Sequence, residues 1–144
     1  MTHRSETILE TVKTRLTGLA TTGGRVERAR IWAVEECPAI AIDKGDDLPR
    51  DDARGFAHQD RQLDFVVTAF VKATGNPESA LAQIAAEVYA ALFADVTQGL
   101  AYVIDTHWLG DAQPEFSTET ETRTASMRMS YRIWYRHSIT TTEA

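Results

Sequence analysis

The stretch that decides the fold is Leu63-Asp64-Phe65-Val66-Val67-Thr68-Ala69-Phe70-Val71-Lys72, followed after three residues by Asn76-Pro77-Glu78. In the first part Leu63, Phe65, Val67, Ala69 and Val71 take one parity and Asp64, Val66, Thr68, Phe70 and Lys72 the other. Strict alternation of this kind predicts a strand with one fully apolar face. The second face is half apolar, because Val66 and Phe70 stand on it, so it calls for a cover from this chain or from another subunit. The Asn-Pro-Glu run is a helix start: an amide cap, a proline at the first helical position and an acid in the first turn. From there Leu81, Ile84, Ala85, Val88, Ala91 and Leu92 recur at helical spacing to about Asp95, with alanines small enough for close packing on a sheet.

Working outward, Ile8, Leu9, Val12, Leu16 and Leu19 predict an amphipathic first helix capped by Ser5 or Thr2, with Glu6 in its first turn. It ends near Gly18 and Thr21-Thr22-Gly23-Gly24. Val26 to Trp32 and Pro38 to Asp43 read as two short strands joined as a hairpin, Pro38 standing where it can begin a strand but not interrupt one. Residues 43 to 60 hold Asp43, Asp46, Asp47, Asp51, Asp52 and Asp60 together with Gly45, Pro49 and Gly55. With almost no periodicity they read as a long acidic loop, of a length that in a compact domain tends to be functional or disordered. Leu100 to Leu109 predicts a fourth strand and Thr122 to His137 a fifth, separated by the turn-rich Gly110 to Glu115. On the fifth, Ala125, Met127, Met129, Tyr131, Ile133 and Tyr135 face one way, and Ser126, Arg128, Ser130, Arg132, Trp134 and Arg136 the other.

The order is α-β-β-β-α-β-β, which predicts a two-layer α+β fold: one mixed or antiparallel sheet of about five strands with both helices on one face. No repeat or linker divides the chain, and 144 residues with 43% hydrophobic and 25% charged content fit a single domain over 1–144. One cysteine, Cys37, excludes an intrachain disulfide, and no run is apolar enough for a signal core or a membrane span. A reducing compartment is therefore expected. The net charge of -6 opposes delocalised attraction to phosphate backbones.

Candidate chemistry is thin. His3, His58, His107 and His137 form no metal-ligand spacing, and Cys37 beside a strand reads as a small packed side chain. Gly23-Gly24 reads as a turn, since neither phosphate-loop pattern is present. The aspartates of 43–52 lack the alternating ligands and terminal glutamate of a calcium loop. Asp105 and His107 share one side of the fourth strand and permit an acid-base pair with Ser126 or Ser130, although neither serine sits in a nucleophile elbow. A stronger signal is Arg128, Arg132 and Arg136 with Trp134 on one side of the last strand, the composition of protein interfaces. A solvated sheet face is the competing account.

The order of elements resembles the tail terminator proteins of long-tailed bacteriophages, the lambda-type minor tail protein U group and its prophage relatives. It is carried by Ile8 to Leu16, Pro38 to Ile42, Leu63 to Lys72, Ile84 to Leu92 and Met129 to Tyr135. These are packing patterns, not chemical fingerprints. The resemblance implies a non-enzymatic protein without cofactor or metal. Six copies would form a ring that caps the tail tube, stops its polymerisation and offers the surface for head attachment. Its partners would be itself, the tube protein and a head-completion or neck protein, with DNA passing through the channel unbound. It would assemble in the bacterial cytoplasm and end in the virion tail. The expected interface residues are Val66, Phe70, Arg128, Arg132, Trp134 and Arg136, with the acidic loop ordered by a neighbour or by the tube. The alternatives are a head-tail connector of the neck and a small hydrolase centred on Asp105 and His107.

Overall fold

The computed structural model describes residues 3–28, 37–54, 58–73, 75–117 and 124–138. Helix α1 (Arg4–Leu16) is capped by His3, whose Nδ1 accepts from the Ser5 amide at 3.0 Å, while Ser5, one of the expected caps, is buried inside the helix. Helix α2 (Pro77–Phe93) begins as its sequence demands, with Asn76 Oδ1 accepting from the Ser79 amide at 3.2 Å and Pro77 at the first turn. The strands are β1 (Val26–Arg28), β2 (Ala39–Arg54), β3 (His58–Lys72), β4 (Val103–Asp111), β5 (Glu115–Ser117) and β6 (Thr124–Ser138). They form one sheet of six strands in the order β1-β2-β3-β6-β4, with β5 also paired to β6. The α+β architecture is the expected one, with six strands in place of about five: β5 begins at Glu115, where the segment read as turn-rich ends.

Both helices pack on one face. Ile8, Leu9, Val12 and Leu16 of α1 and Leu81, Ile84, Val88 and Leu92 of α2 join Leu63, Phe65, Val67 and the odd-numbered residues Ala125 to Tyr135 in one buried cluster. The parity read from β3 and β6 is thus the parity that folds, because a slip of one residue would turn every apolar side chain outward. Antiparallel register sets Phe65 opposite Tyr131, and their rings stack with centroids 5.8 Å apart.

Two expectations are corrected. First, β1 and β2 do not form a hairpin. They run parallel, Val26 beside Ile40 and Arg28 beside Ile42. Arg25 holds this arrangement, its Nε donating to the Pro38 carbonyl at 2.6 Å and its own carbonyl accepting from the Ile40 amide at 2.9 Å. Residues 29–36, which include Trp32, lie outside the described residues.

Second, the acidic stretch 43–60 is not a long loop. It continues β2 to Arg54 and opens β3 at His58, with 55–57 outside the described residues. Weak strand propensity was overridden by a partner: β3 is already fixed by β6 on its other side and offers β2 a continuous row of backbone groups. Irregularities between Lys44 and Asp47 and between Pro49 and Arg54 absorb the residues that do not fit the ladder. Beyond Ile42 this part of β2 has no strand on its outer side among the described residues, so Pro49, which lacks an amide proton, is tolerated there. Gly45 matters for a different reason. A β-carbon there would stand 2.9 Å from the Asp64 carbonyl oxygen, so the two strands could not keep their spacing. Gly45→Ala is expected to cost about 1–3 kcal/mol by this overpacking, readable as a lower urea midpoint; an unchanged midpoint would show that the arm yields freely.

Candidate interaction surfaces

The face of the sheet turned away from the helices carries every residue expected at an interface. Val66 and Phe70 are half-buried, Val66 between Asp43 and Ser130, Phe70 between Ala39 and Ser126. Ala39, Ala41 and Thr68, on the same face, are buried. Arg128 is exposed opposite Thr68 and has no carboxylate partner among the described residues.

The other two arginines are occupied within the chain. Arg132 faces Asp64 across the strands and grips it with two bonds, Nε donating to Oδ1 at 2.6 Å and Nη2 to Oδ2 at 3.0 Å. Arg136 does the same with Asp60 at 2.8 and 3.4 Å. Hydrogen bonding to these carboxylates raises both guanidinium pKa values above their ordinary range. Sequence spacing puts three arginines in a row, but only the register of β3 shows that two of them already have their acids.

The six aspartates do not form one cluster. Asp60 is buried in β3. Asp47 turns to the helix side of the sheet, where it accepts from the Tyr135 hydroxyl at 2.8 and 2.9 Å and lies 3.7 Å from Arg61 Nη1. Asp43 and Asp46 are exposed. Asp51 and Asp52 lie within β2, and their side chains fall outside the described set.

Trp134 sits on the outward face as its parity requires, half-buried, with its ring 4.1 Å from the His107 ring between centroids. Trp134→Ala is expected to leave the fold intact, cost about 1–2 kcal/mol of packing, and weaken self-association. Circular dichroism and light scattering on the same sample would check this. Loss of the native spectrum would mean instead that the ring is a core element.

Asp105 and His107 do approach, Oδ2 to Nε2 at 3.3 Å, but outside hydrogen-bond alignment. Asp105 Oδ1 accepts from the Thr106 amide. Opposite His107 stands Arg132, not a serine; Ser130 pairs with Gly110 and Ser126 with Glu115. The register therefore supplies no nucleophile across the strands from this histidine. Gly23 and Gly24 form the turn expected of them, the Gly23 amide donating to the Leu19 carbonyl at 2.8 Å. Among the described residues no three His, Cys, Asp or Glu side chains are placed to hold a metal, and no helix is long and apolar enough to cross a membrane.

One feature escaped the sequence reading. Between α2 and β4 lies an apolar groove of about 520 Å³, lined by Ala82, Ala85, Ala86, Tyr89, Trp108 and Tyr131 together with Met127 and Asp111. Tyr89 stacks on Phe93 at 4.5 Å and meets Trp108 edge-on at 6.2 Å, while Trp108 Nε1 donates to Asp111 at 3.0 Å. Trp108 pairs with the buried Tyr131 on the helix side of the sheet, yet it is exposed because, among the described residues, β4 is the last strand of the sheet and α2 does not reach over it.

No family model matches the chain, and no curated protein sequence matches it. Among solved structures it is similar to a chain in the virion of a native gene transfer agent particle, with 14% identity over 80% of this chain and 82% of that one, and a TM-score of 0.44.

Proposed function

We propose that this chain is a structural protein of a phage-type virion that forms a ring on the end of the tail tube, terminates tube growth and provides the seat for the head. The observation that carries the proposal is a two-layer fold in which, among the described residues, both helices lie on one sheet face and the other bears the half-buried Val66 and Phe70 and the exposed Arg128. A face of this composition is suited to a subunit contact, and a contact between unlike surfaces generates a ring where its rotation closes. The resemblance of the ordered packing segments to tail terminators supplies the tail role and the number six. The exposed Asp43 and Asp46 on the β2 arm suit a channel that carries DNA without retaining it, since like charges repel.

Native mass by multi-angle scattering together with negative-stain images tests the reading. A closed ring with an axial channel is expected at high protein concentration; a two-fold dimer alone would overturn it. Rings seated on heads and never on tube ends would assign the chain to the neck instead.

A further inference from the structure

Among the described residues, five of the six exposed large apolar side chains, Tyr89, Ile104, Trp108, Leu109 and Phe116, lie on α2, β4 and β5, along one side of β6. From Ala73 to Thr122 the sequence carries eight carboxylates and no lysine or arginine. Of these, Asp111 lines the groove and Glu78 stands one turn before Ala82 on α2, whereas Glu87 is bonded to Thr21 and Asp95 pairs with Arg15. The helix-averted face is the opposite in sign at its own apolar spot: Lys72 and Arg128, both exposed and without a carboxylate partner among the described residues, flank Phe70.

We infer that the α2–β4 groove of one subunit receives the Phe70 and Arg128 patch of a second copy, so that acidic apolar edge meets basic apolar face. The inference rests on the ring reading and specifies its contact. Two-fold pairing of the edge with itself would set carboxylates against carboxylates, whereas edge on face is a heterologous contact. Five large side chains at about half exposure present roughly 400–500 Å² of apolar surface. That is about half of the roughly 800 Å² per partner in a standard interface, and polar rim residues supply the rest. The irregularities at Val103/Asp105 and Trp108/Gly110 interrupt the pairing of β4 with β6 and twist its free edge, which suits that edge to meeting side chains more than to continuing as a sheet.

Charge reversal tests this on the intact chain. Reversing the face (Lys72→Glu with Arg128→Glu) or the edge (Glu78→Lys with Asp111→Lys) is expected to raise the concentration for half-assembly at least tenfold, with unchanged circular dichroism. Mixing the two reversed proteins, or combining all four changes in one chain, is expected to restore assembly. Trp108→Ser is expected to abolish it with the fold retained. If the wild-type chain forms rings that neither reversal disturbs, or if mixing restores nothing, this contact is wrong while the ring stands. A wild-type chain that stays monomeric at the highest concentration overturns both.

Discussion

Replacing Tyr131 by alanine is expected to destabilise the fold by about 3–5 kcal/mol, lowering the melting temperature by about 10–20 °C. Tyr131 is 1% exposed and is among the largest fully buried side chains. Its ring lies at the junction of three elements, stacked on Phe65 of β3 and 6.4 Å from Phe93 of α2, while its strand pairs with Trp108 of β4. Truncation removes the transfer energy of the ring and leaves a cavity that two sheet neighbours and a helix cannot close together. Tyr131→Phe keeps the ring and is the matched control. A melting temperature for Tyr131→Ala within a few degrees of the parent would mean that the odd-numbered face of β6 is not the core face.

The second large effect is alkaline. Burial pushes the Tyr131 phenol well above its ordinary range, and the charges of Asp111 and Tyr89 push it further. Burial does the same for Tyr135, where Arg61 opposes the shift and the Asp47 carboxylate adds to it. In the unfolded chain both phenols titrate near pH 10. Above that pH the unfolded state has lost protons that the folded state keeps, so stability is full below pH 10 and falls as pH rises. The slope is about 1.4 kcal/mol per tyrosine per pH unit. Urea unfolding at pH 9 and pH 11 should therefore differ by about 3 kcal/mol from these two groups. Tyr131→Phe should remove about half of that fall while leaving the Tyr135 to Asp47 bond untouched. Equal pH dependence in parent and variant would show that water reaches the phenol.

How much of this was legible in order along the chain depends on the range of the forces involved. Local signals served well where the deciding contacts are local. Asn76-Pro77-Glu78 starts a helix because the cap and the fixed proline backbone act within one turn. The alternation of β3 and β6 marks their core faces because side-chain parity is a property of the strand itself. The same signals failed at Asp43 to Arg54, where glycine, proline and aspartate argue against a strand and pairing with β3 argues for one. Propensity there is worth at most about 1 kcal/mol per residue, and a ready row of backbone partners outweighs it.

Sequence by itself determined the α+β class, the two helices, the core parity, and the placement of Val66, Phe70, Arg128 and Trp134 on the outward face. Only the tertiary structure decided that β1 and β2 run parallel, that Asp64 and Asp60 neutralise Arg132 and Arg136, and that no serine stands across from His107. It also decided that Trp108 and Tyr89 line an open groove. The physical reason is the same in each case. Direction, register and edge position depend on which strands become neighbours, and partners such as Asp64 and Arg132 are 68 residues apart along the chain. Pairing at that separation is set by the summed packing of the whole sheet, which no local pattern encodes.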